Sequence, residues 1–296
     1  MKRHHTLSLS FFILYMIGLT AFMIVSGVGI TPDRYVLVLL LASLFIKRSR
    51  QFLFDWAPFL FILISYDFLR SLADDLDTRA HFLEPIKADQ SLFGTLPTLT
   101  LQHLFYHGNL HWYDYLASIF YFLHFALPLA FGYILWLKSR DQFKRFSTSL
   151  LVLSYSAYIT YVIYPAAPPW LASKMGYLPP VTKILDQALQ SFPDRLHLPT
   201  IYYNFDPNLV AAIPSLHAAY PFLVFLFCLK LFRSQAIFFF FYTLGVWLSI
   251  VYLGEHYVID VVLGALYALG AFYVVDWASS PGKLAMVKSR LLSAKI

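Results

Sequence analysis

What most restricts this chain is a series of long stretches with few or no charged side chains. Thr6–Ile30 runs 25 residues without a charge, more than the roughly 20 apolar residues a helix needs to cross a bilayer core. The basic Met1–His5 ahead of it resembles the start of a signal peptide. The apolar run is long, however, and no A-x-A-like cleavage site follows, so it reads as an uncleaved first span. Further stretches predict spans at Tyr35–Ile46, Phe52–Leu69, Tyr115–Leu137, Phe146–Tyr164, Leu209–Leu229, Ala236–Leu253 and Tyr257–Trp277. Tyr35–Ile46 is too short alone, and must recruit Thr31–Arg34 or sit where the bilayer is thinned. Pro128, inside the fourth span, predicts a kink. Between the third and fourth spans, Ser71–Trp112 is polar and reads as a segment at the outer membrane surface. Pro165–Pro207, with eight of the chain's 16 prolines, is too broken to cross. The expected fold class is an all-α, polytopic membrane helix bundle with about eight transmembrane helices.

Composition agrees. A chain that is 59% hydrophobic and 13% charged is not an ordinary soluble domain, and its 29 Phe and 21 Tyr suit lipid-facing and interfacial positions. The net charge of +6 does not point to nucleic acid, because of how it is distributed. Eight spans put both termini on one side, and basic loops mark the cytoplasm. With cytoplasmic termini, 15 of the 22 Lys and Arg fall inside; Arg34, Arg70, Arg79, Lys87, Lys174, Lys183 and Arg195 remain outside. If Tyr35–Ile46 failed to cross, every later segment would flip and most basic clusters would land outside. The expected domains are residues 1–112 (spans and an outer interfacial segment), 113–278 (a catalytic helix bundle) and 279–296 (a basic cytoplasmic tail). Cys228 lies in an apolar span and reads as packing; no intramolecular disulfide exists.

Two polar stretches stand out against this background. Ala211–Tyr220, AAIPSLHAAY, and Gly254–Gly264, GEHYVIDVVLG, each place a histidine where an apolar segment begins. Pro214 suits the first turn of a helix, which leaves Ser215 and His217 near backbone N–H groups without intrahelical partners. His256 and Asp260 are four residues apart, so a helix puts them on one face. A carboxylate there can hold one imidazole nitrogen and leave the other as base or nucleophile. Helix N-termini also favour a phosphate. On residues alone, His256 is the nucleophile oriented by Asp260, and His217 is the acid that protonates a leaving oxygen. The charge count puts all of them at the extracytoplasmic surface, although neither motif entered it.

PSLH, with H-x-x-x-D beginning 39 residues after its histidine and Ala167-Pro168-Pro169-Trp170 upstream, resembles the type 2 phosphatidic acid phosphatase superfamily. Leu216 inside PSLH makes it most similar to the inositolphosphotransferase branch, which includes inositolphosphorylceramide synthases. The resemblance covers about Tyr121 to Trp277, with a weaker echo at Tyr66–Ala73. It implies a metal-independent phosphoryl transfer through a phosphohistidine, with no cofactor and with His217, His256 and Asp260 as catalytic residues. The chain departs from the family in two places. The first motif, a lysine followed by Arg-Pro, is absent, and the third motif's Ser-Arg reads Ser249-Ile250. Cations usual for phosphate binding are therefore missing, and Arg70 in YDFLRSLAD is the candidate replacement, with Lys174 and Arg195 behind it. Ser215, Arg70 and Trp170 are the expected substrate-binding residues.

The implied function is an integral membrane lipid phosphotransferase or phosphatase. Its partners would be the membrane, a phospholipid donor and a lipid or sugar alcohol acceptor. Alternatives are a plain lipid or polyprenyl phosphate phosphatase, or a transporter or scramblase without catalysis; the latter predicts repeated halves, and no repeat is seen. His103, His107 and His111 would share one helical face and suggest zinc, but Gly108-Asn109 interrupts that helix. They read as interfacial histidines. Trp170 either contacts the headgroup or anchors its loop, and His124 either contacts the site or is a polar partner within the bundle.

Overall fold

Four helical stretches in this chain are long and apolar enough to cross a membrane: Trp112–Lys138, Arg140–Ile163, Leu216–Tyr252 and Val258–Ala278. They come from a computed structural model that describes residues 51, 52, 54–57, 79–192 and 209–279. In chain order the helices are α1 (Leu83–Phe93), α2 (Pro97–Phe105), α3 (Trp112–Lys138), α4 (Arg140–Ile163), α5 (Pro169–Lys174), α6 (Ile184–Gln190), α7 (Leu216–Phe232), α8 (Ala236–Tyr252) and α9 (Val258–Ala278). Among the described residues there is no sheet, only isolated bridges. The all-α expectation holds, and the protein is an integral membrane protein.

The chain divides into two units, Met1–Leu72 with Ile184–Asn208, and Ala73–Lys183 with Leu209–Ile296. In the first, the described residues form helical turns in which Phe52 and Trp56 stack at 5.0 Å, and α6. The expected spans Thr6–Ile30 and Tyr35–Ile46, most of Phe52–Leu69, and Arg70 and Arg195 lie outside the described residues. The rest of the description concerns the second unit.

Its long helices follow the predicted spans closely. The Leu216–Tyr252 stretch would measure about 55 Å as one helix, far more than a bilayer core. It breaks at a 3-10 turn, Arg233–Gln235, into α7 and α8. These lie antiparallel: Trp247 Nε1–H donates to the Ala218 carbonyl, Thr243 Oγ1–H to that of Pro221, and the Phe225 and Phe240 rings meet at 5.8 Å. α3 and α4 turn on one residue, Ser139, which ends the first helix and caps the second through its Oγ. α7 starts later than the predicted Leu209. Residues 209–215 run outside the helix, and Ser215 rather than Pro214 opens it, because the serine oxygen can accept from Ala218 N–H whereas proline offers no such acceptor. Pro214 sits before the cap, after a cis peptide bond.

The two ends of the bundle differ in charge. At one end Asp276 of α9 bonds Lys230 of α7 and Arg145 of α4, the latter at 3.0 Å, with Lys138 over the Phe232 ring. The other end is covered by short helices. Ile86 of α1, Leu96 ahead of α2, and Ala172 of α5 pack with Tyr257 around the start of α9. From residue 79 onward, the polar segment predicted to lie at the outer membrane surface thus folds into short helices seated on this end of the bundle.

Candidate active site

At the covered end, α7 and α9 begin side by side. Ser215 N–H donates to the Asp260 carbonyl (3.1 Å), and Tyr161 of α4 fixes the residue before it by donating to the Pro214 carbonyl (2.7 Å). The approach is close because residue 264 is glycine: a Cβ there would lie 2.3 Å from the Ser215 carbonyl oxygen. This contact brings the two sequence motifs together.

Three side chains then form a chain of contacts. Asp260 Oδ2 lies 3.2 Å from His256 Nδ1, and His256 Nε2 lies 3.0 Å from His217 Nδ1. The carboxylate fixes the tautomer: His256 holds its proton on Nδ1, leaving a lone pair on Nε2 toward which His217 Nδ1–H donates. Asp260 is fully buried and His256 nearly so, whereas His217 is only half-buried. Asp260 Oδ2 also accepts from Tyr257 N–H (2.9 Å), which sets its rotamer.

His217 continues the chain on its other side. Its ring centroid lies 4.2 Å from that of His124 and 4.7 Å from Tyr121. Of the two readings of His124, contact with this cluster is the one the structure shows; its Nδ1 also bonds the Tyr121 carbonyl. Pro128 and Pro221 each stand four residues after a histidine of this cluster, inside α3 and α7. Each proline lacks the N–H that would bond the carbonyl of His124 or His217, so two backbone acceptors lose their helical donors beside the imidazoles.

The helix N-termini are not equivalent. Asp89 of α1, fully buried, accepts from Val258 N–H (2.9 Å) and Ile259 N–H (2.8 Å), which occupies the start of α9. Burial pushes the Asp89 carboxyl above its ordinary value, against the pull of those two N–H groups. The expectation that both termini receive a phosphate is therefore corrected: those donors of α9 are used internally. In α7, Ser215 Oγ takes Ala218 N–H, while the N–H groups of Leu216 and His217 have no acceptor among the described residues. The Ser215 hydroxyl proton can still be donated. Replacing Asp89 by alanine strands the two half-buried N–H groups of Val258 and Ile259, and should cost roughly 1–3 kcal/mol. The expected result is a lower melting temperature in detergent; an unchanged one would mean that water replaces the carboxylate.

Trp170, the other predicted binding residue within the described chain, is held by its main-chain N–H on the Gly254 carbonyl (3.1 Å). The APPW loop reaches it because Ala166 pairs with both His81 and Ala211. One face of the indole is taken by Lys183 Nζ, 4.4 Å from the ring centroid. That lysine, Asp89 and the Gln102 that anchors their neighbourhood were not singled out in the sequence; no local motif marks them. His103, His107 and His111 do not share a face, since α2 stops at Phe105 and His111 is the cap of α3. Among the described residues, no three His, Cys, Asp or Glu side chains converge as metal ligands.

The family model described as "PAP2 superfamily" matches residues 86–274. The chain belongs to this superfamily. This PAP2 protein is 29% identical over 253 residues to a phosphoinositol dihydroceramide synthase of Bacteroides thetaiotaomicron, covering 82% of this chain and 83% of the relative. No solved structure matches it. The expected class, a membrane lipid phosphotransferase or phosphatase that works without a metal, is that of its superfamily.

Proposed function

We propose that this PAP2 protein transfers a phosphoinositol headgroup from a phosphatidylinositol-like donor to the hydroxyl of a ceramide-like lipid. The observation that carries this reading is the Asp260–His256–His217 chain, with contacts of 3.2 and 3.0 Å. His256 Nε2 attacks phosphorus, the P–O bond to diacylglycerol breaks, and His217 gives that oxygen a proton. The phosphoryl group then rests on His256 as a P–N bond. His217 takes the proton of the acceptor hydroxyl, whose oxygen attacks phosphorus and displaces the imidazole. The 3.0 Å between the two imidazoles leaves no room for phosphorus, so His217 turns aside when donor binds. The N–H groups of Leu216 and His217, which have no acceptor among the described residues, supply neutral donors to the phosphoryl oxygens together with the Ser215 hydroxyl. Arg70 and Trp170 complete the proposed binding residues on sequence grounds.

The relative's name supports both the donor headgroup and the acceptor class. Incubating the purified protein with headgroup-labelled phosphatidylinositol, with and without dihydroceramide, decides the matter. Label is expected in a new lipid only when acceptor is present. Free inositol phosphate in equal amount under both conditions would make the protein a phosphodiester hydrolase instead.

The proposed topology has about eight spans, cytoplasmic termini and an extracytoplasmic site, in residues 1–112, 113–278 and 279–296. Its support is the basic bias and the cluster of Arg145 and Lys230 at the bundle end opposite the histidines. Single cysteines at Gly176 and Gly282, in a Cys228→Ala background, should react oppositely with an impermeant thiol reagent. Labelling of Gly282→Cys from outside would reverse the orientation.

A further inference from the structure

In the resting site the His256 Nε2 lone pair accepts from His217 Nδ1–H, at 3.0 Å. That lone pair is spent once Nε2 attacks phosphorus. To protonate the leaving oxygen His217 must be an imidazolium, and an imidazolium has two N–H donors. One of them serves that oxygen. The other needs a new acceptor, because a charged donor left unpaired in a partly dry site is costly. His124 of α3, whose ring touches that of His217, offers one.

The tautomer of His124 follows from one bond. Its Nδ1 pairs with the Tyr121 carbonyl, and a carbonyl oxygen only accepts, so the proton of the neutral ring is on Nδ1. Nε2 therefore carries a lone pair, and among the described residues nothing bonds it. The His124 and His217 centroids lie 4.2 Å apart with 61° between the ring planes, an edge-to-face contact without a shared hydrogen bond. The buried Tyr121 ring packs against both, 4.7 Å from His217 and 5.5 Å from His124. Helix α8 holds the two histidines relative to each other. Tyr242 O–H donates to the carbonyl of Leu123, the residue before His124, at 2.8 Å. Trp247 Nε1–H donates to that of Ala218, the residue after His217, at 3.0 Å. Both α3 and α7 are thus pinned to one helix beside the imidazoles.

We infer that His124 is the positioning residue of the acid: its Nε2 accepts the Nδ1–H of the His217 imidazolium when His217 turns from His256. The inference rests on the proposed phosphoryl transfer at His256. His217 Nε2–H then faces the leaving oxygen and gives its proton there as the P–O bond breaks and the P–N bond forms. Nδ1–H stays on His217, now neutral, and no proton passes to His124. In the second half of the reaction His217 Nε2 takes the proton of the acceptor hydroxyl, and the same bond to His124 holds the cation again. His124 acts through His217, and its own protonation does not change.

Two substitutions separate this role from packing. His124→Phe keeps a ring against His217 and Tyr121 but has no acceptor, whereas His124→Gln gives up the ring and keeps an amide oxygen near the Nε2 position. The readout is the first step in single turnover on two donors. One is phosphatidylinositol, followed by release of diacylglycerol. The other is the para-nitrophenyl ester of inositol phosphate, followed by release of nitrophenolate, a leaving group that scarcely needs an acid. His124→Phe should slow diacylglycerol release by roughly 10–100-fold, the worth of one hydrogen bond to a charged group. On the nitrophenyl ester the loss should shrink to a few-fold. His124→Gln should recover most of the phosphatidylinositol rate, the reverse of the order that packing requires. His124→Leu takes the place of the Phe variant if that one does not fold. Equal losses on both donors, or a Gln variant no better than the apolar one, overturns the role of His124. A wild type that cleaves neither donor, or a fully active His256→Ala enzyme, overturns the parent reading instead, and this inference with it.

Discussion

His256→Ala should reduce phosphoryl transfer by roughly 10³-fold or more, at least ~4 kcal/mol of transition-state stabilisation. The size follows from the role: without an imidazole lone pair held toward phosphorus, no covalent intermediate forms, and the residual rate comes from positioning alone. The variant should remain folded. The His256 main-chain N–H still bonds the Ile250 carbonyl (3.1 Å), and Asp260 still accepts Tyr257 N–H. Asp260→Asn should be milder yet severe, roughly 10²–10⁴-fold, because the amide holds the imidazole without stabilising its cation. Single-turnover assays with labelled donor would show label on the wild-type protein, acid-labile as expected of phosphohistidine, and none on His256→Ala. Chelators should leave wild-type turnover unchanged. Full activity in His256→Ala, or loss of wild-type activity when metal is stripped, would dispose of the mechanism.

Much of this site was legible because its key side chains are anomalies. A histidine in an apolar span is conspicuous, and the four-residue spacing of His256 and Asp260 predicts that they meet, as they do at 3.2 Å. They do so not on one helical face, since His256 precedes Tyr257, the cap of α9. The spans from residue 112 onward were legible for the same reason, since few soluble segments run so long without charge. What escaped was whatever depended on tertiary contact. Asp89 is one acid in an amphipathic segment, and only the packing of α1 on the start of α9 makes it a helix cap. Lys183 entered the reading only as one outer charge; its place over the Trp170 ring depends on a turn held across 80 residues by Gln102. The start of α7 was misplaced because hydropathy extends through Leu209–Ile213, whereas the backbone there is diverted to pair with Ala166. Hydropathy reports what a segment can be buried in, not where its helix begins.

The same reasoning makes Gly264→Ala the most damaging small change away from the imidazoles. A methyl group at residue 264 would lie 2.3 Å from the Ser215 carbonyl oxygen and 3.2 Å from its carbonyl carbon. Both atoms are backbone, so no rotamer change relieves the clash. Either α9 backs away from α7, or the Ser215 cap moves. Overpacking of this kind costs roughly 1–3 kcal/mol of stability, and the functional cost should be larger. Ser215 N–H is tied to the Asp260 carbonyl, His217 follows two residues later, and Asp260 orients His256. A shift of about 1 Å between these helices changes the 3.0 Å separation of the imidazoles, and misplacement on that scale is worth roughly 10²-fold in rate. Gly264→Ala should therefore lower kcat far more than a loss of folded protein explains. Gly270→Ala, on the same helix with nothing within 4 Å of the added Cβ, should be close to neutral. Measuring folded fraction and kcat for both separates packing from chemistry. Wild-type kcat in Gly264→Ala would mean that the contact between the two motifs does not set the geometry of the histidines.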